Sequence, residues 1–490
     1  MGVSKNREIK EENAKASPWS YLEKVAFRVS FVFFFLLIIP LQGEWYTKLF
    51  ASDSLYDVLS AIAGGSRFGL IQVATESGKW GFASYVSWGL ALLISLLGGA
   101  IWTILSRNSK RDNYNALYYW LRLFVRYRIA IGLIAFGFIK FFPIQMPFPS
   151  VANLNTEIGD YAPFKLYWQI VGASYKYQIF LGFLEIGAGT LLFFRSTVAL
   201  GAIINAGVLF NIAHANLAYD GAVHVYSSYF VLLALFLLLQ YLPNIWAVFI
   251  NGKTVKPNYY YPKTDTSLKK YAHYGAKYAF IFFFLLVYGV YRYDRFYNEG
   301  RLKDPVIPGL VGAAGHYDVS SFVLNGDTLQ YSPQDSLRWH DAAFERYSTF
   351  GYKVNKPFSI NIGNGGTASA DLFKVYELTG RAGGRTYYYY EIDAAENKLY
   401  LIDKNQEFTI EQKKKFDKNN DLGLKALYKT PEGKALNILV WNYTRPTKDQ
   451  VVITGVDLNK NTIAVALNRQ KEHYLIGDEW YLENNIYHYK

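Results

Sequence analysis

Up to about Tyr293 the chain is a succession of long apolar runs separated by short polar stretches. Beyond that point apolar and polar positions alternate over short segments. A membrane-spanning helix needs roughly 20 mostly apolar residues, and about seven segments approach or meet that requirement. They are Val25–Leu41, Phe82–Leu105, Leu117–Phe142, Tyr177–Phe194, Val198–Leu217, Val225–Phe249 and Ala276–Tyr291. The first is short, and Pro40 is expected to end it at the interface. No small-residue cleavage site follows it, so it reads as a retained span rather than a signal peptide.

The second half reads as strands. Tyr317–Phe322, Thr386–Ile392, Lys398–Ile402, Ala435–Trp441, Gln450–Thr454 and Thr462–Leu467 alternate, with Asn325-Gly326, Asn364-Gly365 and Gly383-Gly384 as turn dipeptides. Short antiparallel strands at this density predict a closed barrel or a sandwich. The lysine-rich piece from Glu407 to Tyr428 interrupts the pattern and is expected to be helical. The organisation expected is a tail over 1–24, a helical membrane bundle over 25–294, a linker over 295–315 marked by Asp304-Pro305 and Pro308-Gly309, and an exported all-β domain over 316–490.

The net charge of +12 first raises a nucleic-acid partner. The positions of the charges exclude that reading. Lys5, Arg7, Lys10, Lys15 and Lys24 precede the first run. Arg107, Lys110, Arg111, Arg122, Arg126 and Arg128 surround the second inter-helix segment. Arg195 marks the next turn, and Lys253, Lys256, Lys263, Lys269 and Lys270 the last. All lie on one side if the spans alternate, and the positive-inside rule makes that side the cytoplasm. The opposite segments carry Asp53, Asp57, Glu157, Asp160 and Asp220. An odd number of spans then exports the C-terminal domain across an inner membrane into a periplasm. Trp45, Trp80, Trp88, Trp120, Trp168 and Trp246 suit interfacial belts. With 0 cysteines, disulfides, iron–sulfur clusters, covalent haem and cysteine zinc sites are excluded. No flavin motif is present, and Gly309, Gly312 and Gly315 precede no nucleotide-binding helix.

Candidate chemistry lies in the apolar half, where an ionisable group is costly and is normally paired and functional. Lys140 ends Arg128-Ile-Ala-Ile-Gly132-Leu-Ile-Ala-Phe-Gly137-Phe-Ile-Lys140. The alternative for it is snorkelling to the headgroups. Glu185 lies mid-run in Leu181-Gly-Phe-Leu-Glu-Ile-Gly-Ala-Gly189, with Lys140 as its natural partner for depth. A protonated, hydrogen-bonded structural carboxyl is the alternative. The densest polar stretch joins two apolar runs: Asn211, His214, Asn216, Tyr219, Asp220, His224, Tyr226 and Ser228. Such a cluster can hold a polar headgroup, pass protons or hydrogen-bond a quinone carbonyl. The plainer reading is an Asp220 helix cap with satisfied histidines. A metal is not expected, because His214-x9-His224 is no ligand spacing, and bis-histidine haem fits less well still. In the second half His340, Asp341, Glu345, His473 and the run Tyr387–Tyr390 match no catalytic spacing, and tyrosine-rich strands point to barrel packing or a binding face.

On these residues the stretch from Arg128 to about Phe249 resembles the DoxX-like membrane family. The matching positions are Gly137-Phe-Ile-Lys140 in its first helix and the glycine-flanked Glu185 in its second, within a core over about 122–249. The flanks resemble a longer Bacteroidetes-type subgroup. They do so through Phe27-Arg28-Val-Ser-Phe31, Tyr219-Asp220-Gly-Ala-Val223-His224, Tyr317-Asp-Val319, Phe322-Val-Leu-Asn325-Gly-Asp-Thr-Leu329 and Arg338-Trp339. His224 stands where that subgroup has lysine. The resemblance implies a membrane subunit of the kind linked to thiosulfate oxidation with quinone as acceptor, or to oxidative-stress complexes. A family likeness does not by itself transfer a reaction.

Two functions follow as expectations. In the first, the chain is a quinone-linked oxidoreductase subunit. His214, Asp220 and His224 handle the quinone and its protons, and Lys140, Glu185, Asn216, Tyr219 and Tyr226 line the site. A membrane or periplasmic partner supplies the electrons. In the second, the chain is a non-enzymatic anchor whose exported β-domain binds an envelope lipid, polymer or protein. A transporter ranks last, since no internal repeat or broken helix pair is evident.

Overall fold

The structure is a computed structural model. It describes residues 18–64, 85–221, 223–255, 259–262, 266–300, 303–357, 359–361, 363, 365, 370–409, 411–413, 416, 423–471, 474, 476, 480–483 and 486–489. His473, Trp80, Lys5, Arg7, Lys10, Lys15, Lys256 and Lys263 lie outside the described residues. Contacts divide the chain into two compact units. One is Met1–Gly137 with Leu184–Gly289, and the other is Phe138–Phe183 with Val290–Lys490.

The first unit is helical. Its elements are α1 (Tyr21–Ile38), α2 (Gly43–Phe50), α3 (Leu55–Gly64), α4 (Tyr85–Leu105) and most of α5 (Asn115–Phe141). The main-chain order continues, after α6 (Val151–Leu154) and α7 (Pro163–Gly172) of the other unit, with the C-terminal part of α8 (Tyr175–Leu191) from Leu184 on, then α9 (Val198–Ala218), α10 (His224–Leu239), α11 (Leu242–Phe249) and α12 (Ser267–Ile281). α12 runs through a π-helical stretch, Phe282–Val287, into α13 (Tyr288–Tyr297). α1 opens with a full capping box, in which Ser20 Oγ accepts from Glu23 N and Glu23 reaches back to Ser20 N. It stops before Pro40, as expected. α1 packs on α4, where a Cβ at Gly99 would lie 3.2 Å from the Val29 backbone, so only glycine permits that approach. Arg28, buried in α1, is held by Tyr114 Oη at 3.0 and 2.9 Å and by Thr103 Oγ1 at 2.9 Å.

Each of the seven expected apolar segments is helical over most of its described residues, with Val225–Phe249 divided between α10 and α11. Among the described residues three helices are by themselves long and apolar enough to cross a membrane, and up to five spans result if each bent pair counts as one. The three are Tyr85–Leu105, Arg195–Ala218 and Lys270–Tyr297. The pairs are α1 with α2, bent by 47°, and α10 with α11, bent by 73°. α5 does not join them, with Arg122, Arg126, Arg128 and Lys140 along it, and α8 is only 17 residues long.

The second unit is built on a barrel. Its strands are β1 (Gly315–Leu324), β2 (Asp327–Thr328), β3 (Asp341–Phe344), β4 (Thr349–Lys353), β5 (Arg385–Asp393), β6 (Lys398–Asp403), β7 (Leu439–Thr447), β8 (Gln450–Val456) and β9 (Thr462–Arg469). All pairings are antiparallel in the order β1-β3-β4-β5-β6-β7-β8-β9. β1 pairs back onto β9 from Tyr317↔Arg469 to Leu324↔Ile463, which closes an eight-stranded barrel. β2 is a two-residue return after β1 through Asn325 and Gly326, both at positive φ, the turn that Asn-Gly favours. A separate hairpin, β10 (Trp480–Glu483) with β11 (Ile486–Tyr489), ends the chain. Two short helices, α14 (Leu424–Tyr428) and α15 (Pro431–Ala435), lie between β6 and β7. β7 therefore starts later than the alternation from Ala435 predicts.

An eight-stranded barrel is just wide enough to be filled by side chains or to hold one small ligand. This one is filled. Tyr317, Phe322, Trp339, Phe344, Phe350, Tyr388, Tyr390 and Trp441 share one buried cluster with Val451, Ile453, Val465 and Leu467. The tyrosine run of β5 does not alternate in burial because both its faces are covered. Tyr388 and Tyr390 point into the barrel. Tyr389 packs with Leu372, Tyr400, Ile402 and Leu424, and Tyr387 with Ala152, Ala343 and Leu378.

Ala152 belongs to a helical loop, α6 (Val151–Leu154) and α7 (Pro163–Gly172), which is part of the barrel unit. The joint is specific. Buried Glu345 accepts from Val151 N at 2.8 Å and Ala152 N at 2.9 Å, and Asn153 Nδ2 donates to Glu377 O at 2.9 Å. Ala162 N donates to Gly380 O and Ala382 N to Asp160 O, at 2.9 and 2.7 Å. Gly383, at φ +86, lies so close to the Asp160 carboxylate that a side chain there would collide with it.

Candidate functional site

The polar stretch between α9 and α10 folds as a tight corner. Asp220 takes a left-handed φ of +53, and Gly221 N donates to Asn216 O at 2.7 Å. A Cβ at Gly221 would press on Asn216 Oδ1, so a larger residue there would displace the Asn216 amide. Asn216 is buried and donates to Ile212 O at 2.8 Å, a local structural bond. His224 opens α10 with Nδ1 3.3 Å from Tyr85 Oη, and Tyr85 Oη lies 3.1 Å from Ser228 Oγ. Tyr226 is buried beside Tyr229 and accepts from Arg128 Nη2 at 3.4 Å, while Arg128 Nη1 donates to Ala63 O at 2.7 Å.

His214, Tyr219 and Asp220 are exposed, and the His214 ring lies parallel to Phe210. The corner thus gathers His224, Tyr85 and Ser228, with Tyr226 packed deeper, and leaves His214 outside that chain of contacts. Ala222 lies outside the described residues. No group of three potential metal ligands occurs among the described residues. Lys140 and Glu185 are both buried, at 6% and 2% exposure, and both take part in polar contacts.

A second polar place in the helical unit was not anticipated. A cavity of about 210 Å³ is lined by Arg122 and Arg126 of α5, by Arg195 before α9, and by Tyr118, Tyr119, Tyr241, Tyr259, Tyr260 and Tyr261. Residues 118, 122 and 126 recur at the four-residue helical interval, which places them on one face of α5. Arg122 Nη1 donates to Tyr118 Oη at 3.4 Å, and its guanidinium lies 5.5 Å from the Tyr118 ring and 5.2 Å from the Tyr241 ring. Arg195 Nη2 donates to Tyr119 Oη at 2.8 Å and lies 4.8 Å from the Tyr261 ring. Arg122 and Arg126 are both 8% exposed, and Arg126 Nε has no hydrogen-bond partner among the described residues. No carboxylate lines the cavity among the described residues. Read along the sequence, these arginines are orientation signals. The clue to more was the spacing of Tyr118, Arg122 and Arg126 and the run Tyr259-Tyr260-Tyr261.

The barrel unit holds its own buried charges, and Glu377, Asp371 and Asp341 each have a cationic partner. Glu377 pairs with Lys404, which also donates to Thr349 Oγ1 at 3.2 Å. Asp371 pairs with Lys374 at 3.0 Å and accepts from Val306 N and Ile307 N, each at 2.7 Å. Burial opposes ionisation of Asp341, yet Arg385 and His316 hold its carboxyl below the usual range. Lys165 is fully buried, donates to Tyr376 O, and sits 3.3 Å over the Tyr376 ring. Lys303 lies 4.7 Å over Trp168, and burial brings its amine down to about 7.

Part of the chain is similar to a protein of Bacillus subtilis (strain 168) described as uncharacterized protein YwoB. The two are 32% identical over 107 residues, 21% of this chain and 70% of the other. No family model matches the chain, and no solved structure matches it.

Proposed function

Because the chain belongs to the same family as YwoB, whose name assigns no activity, we propose a function from its own residues: an inner-membrane anchor that holds a filled β-barrel and its docked helical loop outside the cell membrane as a binding platform. In this reading the protein has seven spans, with a DoxX-like core from Arg128 to about Phe249 and a cytoplasmic N-terminus. The platform meets an envelope lipid, polymer or protein partner.

The observation that carries the reading is the joint between residues 143–174 and the barrel. Two segments of one compact unit lie on the same side of a bilayer. The chain must therefore cross an even number of times between Phe142 and Tyr291. The four expected spans in that interval satisfy this, and the lysine- and arginine-rich connections on the other side favour export of the unit. The filled interior argues for surface binding rather than for carriage of a ligand within the barrel.

The chain has no cysteine, so single cysteines report topology directly. In intact cells with a permeable outer envelope, Glu157→Cys and Ser336→Cys should react with a membrane-impermeant maleimide, and Ser109→Cys should react only after lysis. Labelling of positions 157 and 336 from opposite sides would end the proposal.

A second reading is favoured by the chain of contacts from His224 through Tyr85 to Ser228. Histidine exchanges protons near neutral pH, and an aligned tyrosine can hydrogen-bond a quinone carbonyl. Quinone co-purifying with the wild type, and lost in His224→Ala and in Tyr85→Phe, would support it. Equal quinone in all three, or none, would remove it.

A further inference from the structure

We infer that the arginine–tyrosine cavity of the helical unit binds the phosphate group of an anionic lipid. Arg122, Arg126 and Arg195 surround it, and Lys277 and His273 lie within electrostatic reach of Arg126 and Arg195. Arg122 and Arg126 are like charges held largely out of water, which is costly. The partners these guanidinium groups have are tyrosine rings and hydroxyls, which orient a cation but supply no full negative charge. Arg126 Nε, buried and without a hydrogen-bond partner among the described residues, is a donor still waiting for an acceptor. An anion with several oxygens answers both needs, because the planar guanidinium fork matches phosphate.

The surroundings select a lipid over a soluble phosphate ester. The cavity, about 210 Å³, is smaller than the roughly 300–1,000 Å³ of sites that enclose a whole small molecule. It takes a headgroup and leaves the rest of the ligand outside. Beside it on the same helices, Trp120, Phe124, Leu239 and Leu242 are 45%, 58%, 58% and 52% exposed, a surface suited to acyl chains. Basic pockets between transmembrane helices on the cytoplasmic side are characteristic sites for anionic headgroups. The inference needs the helices to lie in a bilayer, and it is independent of what the barrel binds.

The test uses the full-length protein in detergent, read by native mass spectrometry. It is titrated with phosphatidic acid, phosphatidylglycerol, phosphatidylcholine or inorganic phosphate. The anionic lipids should bind saturably at one site, with phosphatidylcholine about tenfold weaker or worse. Arg126→Gln and Arg195→Gln should each weaken anionic-lipid binding by about tenfold, the effect of losing a charged hydrogen bond. Arg107→Gln, which removes the same charge from an exposed turn, should leave it unchanged. Arg195 is exposed, so its variant keeps the fold even if the Arg126 variant does not. Equal binding of anionic and zwitterionic lipids, unaltered affinity in Arg195→Gln, or tighter binding of inorganic phosphate than of the lipids would overturn the inference.

Discussion

In the barrel unit Lys404 sits against Glu377 and Lys374 against Asp371, each pair buried and supplemented by further hydrogen bonds. In the helical unit Arg122, Arg126 and Arg195 sit against tyrosines around an open space. Cationic side chains thus serve two ends. A buried charge with a fitted counter-charge is part of the scaffold. Buried charges of one sign around a cavity leave room for a ligand. Degree of burial alone separates neither case, since all of these cations are largely buried apart from Arg195.

The contrast can be broken most forcefully by removing the loop from the barrel. Residues 303–490 expressed alone lack Val151, Ala152 and Lys165, which leaves Glu345, Tyr387 and Tyr376 uncovered. Cooperative unfolding should be lost, as read by near-ultraviolet circular dichroism. A sharp transition in the isolated piece would show that the loop is dispensable. The next largest effect is expected at the ion pair. Glu377→Ala leaves Lys404 buried and unpaired and should cost about 3–5 kcal/mol. Glu377→Leu combined with Lys404→Met should restore most of that, measured by pulse proteolysis of the full chain.

A smaller, pH-dependent effect is expected at Asp403, whose carboxyl is raised by burial from its ordinary 3.8 to about 6. Between those values the folded state holds the proton more tightly than the unfolded one, so this group's contribution to stability falls as pH rises. Asp403→Asn keeps the acceptor for Asn405 N and removes the titration. The variant should therefore gain stability relative to the wild type as pH rises from 4 to 6, with a flat difference above that. A pH-independent difference would contradict the assignment. The smallest effect belongs to the cavity. Arg195→Gln should change thermal stability without lipid by no more than about 0.5 kcal/mol. A large loss would make the cavity arginines scaffold after all.

Much of this was legible along the chain where one face of an element is buried. β1, β8 and β9 follow their alternation, and the apolar runs all became helices. β3 and β4 were not legible, because Ala342, Ala343 and Gly351 leave too little contrast between faces in strands this short. The run Tyr387–Tyr390 hid its register because both sides of β5 are covered. Of the site residues, His224 was placed next to a partner, Tyr85, that lies 139 positions away and that no local pattern points to. The arginines of the cavity were visible as charges. Only the fold brings Tyr259 and Tyr261 up to α5 and makes those charges a site.

The most direct measurement is hydrogen exchange across the full-length protein, comparing amides in residues 143–174 with those in β3 and β4. If the loop and the barrel are one cooperative unit, Val151, Ala152 and Lys165 exchange with the same opening free energy as the strands, and Glu345→Gln weakens both together. Exchange of the loop many times faster than the strands, unchanged by Glu345→Gln, would contradict the shared unit. An even number of crossings between Phe142 and Tyr291 would then no longer be required.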